Sequence, residues 1–163
     1  MKNLDWQKLL KAAYKEAQKS TFPDTQNGAI LVNDKGDIIL SAVNTFPDGI
    51  KETEERKIKP LRSKLGVHTE RNLIYLAAKN GIKTKGLTMV CSWATCIDCA
   101  QAIIQAGIKR LVTHKQALDR SYDWQENIDF AFKMLREAGV EIIAFDGKIG
   151  VGKVQRKGEF WEP

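Results

Sequence analysis

The chain of 163 residues lacks any long apolar run, and no stretch approaches the roughly 18–20 apolar residues that cross a bilayer. Its first residues alternate charged and apolar side chains and lack the uninterrupted apolar stretch of a signal peptide. We therefore expect a cytoplasmic protein that does not bind membranes. Internal repeats are also absent, and a 43% hydrophobic content is enough for one core, so we expect a single domain over residues 1–163.

The sequence also lacks a basic block, although its formal net charge is +6. The 26 Lys and Arg and the 20 Asp and Glu are mixed along the chain, with no basic stripe interleaved with aromatic residues. That distribution does not favour polynucleotide binding. It suits a small anionic partner such as a nucleotide phosphate, and it is equally compatible with an ordinary charged surface.

Cysteine is scarce, and its three copies all lie within positions 91–99. In a reducing cytoplasm, an odd number of clustered cysteines argues against a disulfide framework. We expect these residues to bind a metal or to be reactive.

Hydrophobic periodicity predicts an α/β fold, because helical and strand patterns alternate along most of the chain. The predicted sheet has five strands, and parallel strands require helical crossovers, so we expect a three-layer α/β/α sandwich around a mixed sheet. The predicted helices cover residues 4–19, 67–81, 96–107 and 127–139, and the predicted strands cover 28–33, 37–43, 87–93, 109–114 and 140–145.

Two segments fall outside this alternation. Residues 44–66 contain two prolines and a dense mixture of charges, which predicts a long, partly helical loop. Residues 146–163 are predicted to form a surface tail, in which Phe160 and Trp161 could dock on the core or on a neighbouring subunit.

Three residues at predicted helix starts are candidate metal ligands. His68 opens one helix, and Cys96 and Cys99 open the next, three positions apart and therefore on one face. The positive end of a helix dipole favours thiolate over thiol. Two thiolates and an imidazole form a ligand set that Zn²⁺ prefers.

The fourth metal ligand distinguishes a structural site from a catalytic one, because a catalytic zinc leaves that position to water. The candidates are His114, Cys91 or a carboxylate. Cys91 lies in the middle of a predicted strand, where a buried cysteine acts as a small hydrophobe. His114 lies at a strand end, where we expect it to be half-exposed, so we expect the fourth position to be open.

Glu70 follows His68 by two positions and therefore does not face the same way on a helix. It could reach a zinc-bound water, whose pKa falls toward about 7, and carry its proton to a leaving group. Alternatively, it could complement the helix dipole as a first-turn glutamate. His-x-Glu followed by Cys-x-x-Cys is the pattern of zinc-dependent nucleobase deaminases, which favours the catalytic role.

Residues 28–145 resemble the deoxycytidylate (dCMP) deaminases of the cytidine deaminase superfamily, especially the short bacterial and phage type. The resemblance lies in "NTFPDGIKETEER", "HTERNLIYLAAKNG", "CIDCAQAIIQAGIKRLV" and "YDWQENIDFAFKMLREAGVEII". It implies that His68, Cys96 and Cys99 bind Zn²⁺ and that Glu70 shuttles protons.

The resemblance also implies a set of substrate contacts. Asn44 would bind the sugar and help to fix the base, while Arg56 and Asn72 would lie near the phosphate. Trp93 would wall the base pocket, and Tyr122 would stack on the base or sugar. For both aromatic residues, plain core packing is the alternative.

Three positions depart from the family pattern. Thr69 replaces a small alanine, which adds bulk next to the base. Thr95 replaces a proline and could cap the following helix through its hydroxyl. Asp48 replaces a loop arginine that helps to hold the phosphate. The phosphate contact of that arginine could pass to a nearby cation, namely Lys51, Arg56, Lys57 or Lys59.

The activity that the resemblance implies is hydrolytic deamination of dCMP to dUMP with release of ammonia, which feeds dTMP synthesis. It also implies a homo-oligomer and leaves open regulation by dCTP or dTTP. Alternative substrates are dCTP, cytidine, modified dCMP or a polynucleotide base. A non-enzymatic alternative is a structural zinc module or an inactive regulatory relative, with His114 or Cys91 as fourth ligand.

Overall fold

The computed structural model describes residues 4–163, which fold into six helices, seven strands and a 3-10 turn at Tyr122–Trp124. None of these helices is long and apolar enough to cross a membrane. In chain order the elements are α1 (Trp6–Ala17), β1 (Gly28–Val32), β2 (Ile38–Val43), α2 (Leu61–Leu65), α3 (Thr69–Lys79), β3 (Thr88–Cys91), α4 (Ile97–Gln105), β4 (Arg110–His114), α5 (Lys115–Asp119), α6 (Gln125–Glu137), β5 (Glu141–Phe145), β6 (Val154–Arg156) and β7 (Glu159–Trp161).

Five strands form one mixed sheet in the order β2-β1-β3-β4-β5. Strand β1 is antiparallel to both β2 and β3, whereas β3, β4 and β5 are mutually parallel neighbours. The parallel pairs are connected through α4 and α6, as parallel pairing requires. The prediction of a five-stranded mixed sheet is confirmed.

The sheet separates two apolar cores, because successive side chains of a strand point to opposite faces. In β1, Ala29 and Leu31 pack in the core that contains α3, α4 and α6, whereas Ile30 and Val32 pack in the core that contains α1 and α5. The predicted three-layer α/β/α architecture is therefore confirmed.

The C-terminal segment differs from the predicted surface tail. Strands β6 and β7 form an antiparallel hairpin, and Val154 and Trp161 are buried in the core next to α1. Trp161 stacks on His114 with 5.9 Å between ring centroids, while Phe160 remains 66% exposed. The prediction of a surface tail was wrong, whereas the expected docking of Trp161 on the core is confirmed. Val154 and Trp161 lie far from the core strands in sequence, but they supply apolar area that covers this face.

Residues 44–66 are largely irregular, as predicted, and contain only the short helix α2. The two ends of this loop are held together where Thr45 and Val67 exchange backbone hydrogen bonds of 3.3 and 2.7 Å. This bridge places Asn44, at the end of β2, next to His68, at the start of α3.

Replacing Gly28 by alanine is expected to lower the free energy of unfolding by about 1–3 kcal/mol, the cost of overpacking a dense core. A Cβ atom at Gly28 would overlap the backbone of Ala13 and Ala17, which forces α1 away from the sheet. Denaturant unfolding measures the change. Gly49→Ala is the control, since nothing lies within 4 Å of its Cβ position and only its positive φ of 84° opposes the change. A loss no larger than that of the control would contradict the close approach.

Candidate metal centre and active site

The three candidate metal ligands meet at the N-termini of two helices. His68 is the N-cap residue of α3, Cys96 is the N-cap residue of α4, and Cys99 lies in the first turn of α4. His68 Nδ1 lies 3.4 Å from Cys96 Sγ and 3.7 Å from Cys99 Sγ. One ligand atom from each residue lies within 4.8 Å of the others.

This cluster has the dimensions of a tetrahedral metal site. Zinc bonds of about 2.3 Å to sulfur and 2.0–2.1 Å to nitrogen place S and N atoms about 3.6 Å apart at a tetrahedral angle. The two observed N–S distances bracket that value. The residues present therefore fit a zinc ion held by His68, Cys96 and Cys99.

Hydrogen bonding between the two thiols shifts their pKa values in opposite directions. The Cys99 thiol donates a hydrogen bond to Cys96 and lowers the pKa of Cys96 to about 4. The same hydrogen bond raises the pKa of Cys99, while hydrogen bonding to Cys96 raises the pKa of His68. A thiolate is thus already favoured at Cys96, and thiolate is the form that binds metal.

Glu70 lies beside this cluster in the first turn of α3 and is only 1% exposed. Burial raises the pKa of its carboxyl, and positive charge on His68 opposes that shift. Its Oε1 atom is buried without a hydrogen-bond partner among residues 4–163. A buried polar oxygen without a partner is costly, so this atom is available to a bound ligand.

Thr95 and Thr69, two departures from the family pattern, have roles different from those expected. The Thr95 hydroxyl is buried and has no partner within the described chain, so the predicted helix cap is wrong. Instead, the Asn127 side chain accepts a hydrogen bond of 2.9 Å from the Ile97 amide. Thr69 donates to the backbone oxygen of Asn27 at 3.0 Å and does not line the cavity, so its extra bulk lies away from the base pocket.

Neither proposed fourth protein ligand belongs to the cluster. His114 is fully buried rather than half-exposed, and both its ring nitrogens are engaged. The Tyr14 hydroxyl donates to Nδ1 at 2.8 Å, and Nε2 donates to Gly147 O at 2.9 Å. Cys91 is buried in the core of the sheet, as predicted, and its thiol faces Asn27 Oδ1 at 3.6 Å. This arrangement argues against the structural zinc module.

The cluster opens into a cavity of about 660 Å³, a size typical of small-molecule sites. His68, Glu70 and Cys96 line it, together with Ser121, Asp123, Trp124, Asn127 and Ile128. Asn44 and Trp93, two of the expected substrate contacts, also line this cavity. Asn44 is held by the 25–27 loop, since its Oδ1 accepts from the Asn27 amide and its Nδ2 donates to Thr25 O.

The structure does not bring the other expected substrate contacts into the cavity. Asn72 donates to Val43 O at 2.9 Å, and Arg56 donates to Lys51 O at 3.0 Å. Tyr122 is 77% exposed and lies beside a separate, smaller cavity.

The cationic loop residues are also mostly engaged elsewhere. Asp48, which replaces the family arginine, pairs with Lys79 at 2.5 Å outside the cavity. Lys57 pairs with Glu54 at 3.1 Å. Of the four proposed replacements, only Lys59 lines the cavity.

Sequence reasoning missed most of the residues that line the cavity, including Asn27 and Arg156. Asn27 connects the site, because its Oδ1 accepts from Ser92 Oγ at 2.8 Å and its backbone contacts Thr69 and Asn44. Arg156 reaches the cavity from the C-terminal hairpin. Asn27 directly precedes β1, so its place at a strand end could have been recognised from the sequence. Nothing in the local sequence around Arg156 indicates a site.

Comparison with known proteins identifies the family. Residues 4–115, more than half of the chain, match the cytidine and deoxycytidylate deaminase zinc-binding region. The chain belongs to this deaminase family. The resemblance found from the motifs is confirmed, and family membership makes the chain a hydrolytic deaminase.

Two relatives extend over most of this deaminase. An uncharacterized deaminase of Aliivibrio fischeri, from the luxG 3′ region, is 32% identical over 126 residues, which cover 76% of this chain and 81% of that protein. The deoxycytidylate deaminase of Mus musculus is 31% identical over 153 residues, which cover 89% of this chain and 82% of the mouse protein.

Solved structures share the deaminase fold. The dCMP deaminase of cyanophage S-TIM5, crystallised with dCMP and dUMP, is similar with a TM-score of 0.64 and 26% identity, covering 83% of this chain and 93% of that one. Its apo form gives a TM-score of 0.68 at 24% identity, covering 89% of this chain and all of that one.

Proposed function

We propose that this deaminase converts dCMP and water to dUMP and ammonia, and that the dUMP supplies dTMP synthesis. The observation that carries the proposal is the convergence of His68, Cys96, Cys99 and buried Glu70 at one end of a nucleotide-sized cavity. The mouse and cyanophage relatives, which are dCMP deaminases, support the choice of substrate.

His68, Cys96 and Cys99 would hold a zinc ion, and within residues 4–163 no fourth side chain joins this cluster. A zinc ion bound there supplies Lewis-acid activation of water for attack at cytosine C4. The protein contributes by keeping both sulfur atoms at the positive end of α4, where their negative charge is stabilised.

Glu70 would move the protons of the reaction. Its carboxylate accepts a proton from the attacking water and delivers it to N3 of the base, and then accepts the second proton of that water and transfers it to the departing amine. Burial favours proton uptake because the charged carboxylate is poorly solvated in the apolar wall. The unpartnered Oε1 atom leaves one oxygen free for these transfers.

Asn44 and Trp93 would position the nucleotide. The Asn44 side chain is buried and held by two backbone hydrogen bonds of 2.8 and 2.7 Å, so it is fixed before substrate binds. Its amide still has one free N–H and one free lone pair for a sugar hydroxyl. Trp93 lines the cavity and would supply apolar surface that contacts the base.

A substrate panel tests the proposed function directly. Ammonia release is measured for the zinc-loaded protein with dCMP, dCTP, deoxycytidine, CMP, 5-substituted dCMP and single-stranded DNA. We expect kcat/KM for dCMP to exceed that for deoxycytidine by at least about 10-fold, the value of one charge-assisted phosphate contact. Turnover of another carrier without turnover of dCMP would overturn the substrate assignment.

The proposal includes a homo-oligomer and regulation by dCTP or dTTP. Adding each nucleotide to the dCMP assay tests regulation through a change in KM. Light scattering of the same sample measures the mass of the assembly, and a monomeric mass would contradict the oligomer.

A further inference from the structure

The guanidinium of Arg156 is buried beside the proposed active site without an ion-pair partner among the described residues. The residue is only 5% exposed, and Nε, Nη1 and Nη2 are all buried without a hydrogen-bond partner among residues 4–163. No carboxylate in this part of the chain lies within 4.0 Å of it. Burying an unpaired charge is expensive, so such an arginine points to an anion that completes the site.

The hairpin that carries Arg156 is anchored to both walls of the cavity. Arg156 forms a β-bridge with Thr25, and Gly158 N donates to Asp24 O at 2.9 Å. On the other side, Lys157 pairs with Asp123 and lies over the Tyr122 ring. The Arg156 guanidinium lies over the face of Trp93, the expected wall of the base pocket.

Arg156 differs from the other cations of the cavity because it is both buried and without an acidic partner. Arg62 pairs with Asp24 at 2.7 Å, and Arg71 lies 4.0 Å from Asp98. Lys59 lines the cavity but is exposed to solvent. Arg156 is therefore the buried cation whose charge a substrate anion would neutralise.

We propose that Arg156 binds the 5′-phosphate of the nucleotide substrate, in place of the loop arginine that Asp48 replaces. The guanidinium presents up to five N–H donors in a planar fork, which matches two oxygens of one phosphate. The proposal rests on the proposed function, since it assigns the phosphate contact of the same site. It gives the C-terminal hairpin a part in substrate selection.

Kinetics of Arg156→Met on two substrates test the proposal. Methionine keeps an unbranched apolar side chain that can pack against Trp93 and removes the charge. We expect kcat/KM for dCMP to fall about 10- to 100-fold, with kcat/KM for deoxycytidine unchanged, because only dCMP carries the phosphate. Arg156→Lys should retain part of the preference, since lysine keeps the charge without the fork.

Arg136→Met is the matched control, because Arg136 also lies over an aromatic ring, that of Phe132, but outside the cavity. It should leave both substrates unaffected. Equal loss on dCMP and deoxycytidine in Arg156→Met would assign Arg156 to the base or to folding and overturn the proposal. An unchanged preference for dCMP would also overturn it.

A binding measurement separates this proposal from the proposed function. The rise in thermal midpoint caused by dUMP, compared with that caused by deoxyuridine, reports the phosphate contact without turnover. We expect the extra stabilisation by dUMP in the wild-type protein and its loss in Arg156→Met. If the wild-type protein deaminates neither substrate, the proposed function fails, while an Arg156-dependent dUMP shift would still support the phosphate site.

Discussion

Glu70→Gln is expected to lower kcat for dCMP by about 10²- to 10⁴-fold, the usual contribution of a positioned general acid–base group. Glutamine has nearly the same shape, so it fills the same buried position and keeps the helix start intact. It cannot accept the proton of the attacking water at pH 7. Metal content should therefore remain at the wild-type level while ammonia release is lost.

Glu126→Gln is the control for Glu70→Gln, because Glu126 is also in the first turn of a helix, α6, but is exposed and does not line the cavity. It should change neither activity nor metal content. If Glu70 only complemented the helix dipole, Glu70→Gln would lower the melting temperature slightly and leave kcat intact. That outcome would remove Glu70 from the proton path.

Cys99→Ala and His68→Ala are expected to lower zinc affinity by more than about 100-fold. Loss of a residue that only hydrogen-bonds to a metal ligand has a smaller effect. Each variant leaves two ligand atoms at the site instead of three. Zinc content, measured by elemental analysis after dialysis against a weak chelator, should fall from stoichiometric to background, and ammonia release should fall with it.

Cys91→Ala is a closely matched control for Cys99→Ala, since both cysteines are fully buried and undergo the same change. Zinc should remain bound in Cys91→Ala, because its thiol packs in the sheet core and faces Asn27. Loss of zinc in this control, or retention in Cys99→Ala, would mean that the ligand set is different. A second stoichiometric zinc in the wild-type protein would show that another site exists.

The parts of the site that could be predicted from the sequence are local. His68 and Glu70 share the first turn of α3, and Cys96 and Cys99 share the start of α4, so short spacings place them. The strands were predictable because residues buried on both faces leave continuous apolar runs such as that of β1. The starts and ends of the four predicted helices were accurate to within a few residues.

Long-range contacts determine the other parts of the site, and short spacings in the sequence carry no information about such contacts. His114 is kept out of the metal cluster by its contacts with Tyr14 and Trp161, which lie far from it in sequence. Arg156 reaches the cavity only because β6 pairs with the Thr25 loop far earlier in the chain. The sequence determines the metal chemistry through local motifs, whereas the charge that faces the substrate comes from a hairpin that only tertiary packing brings there.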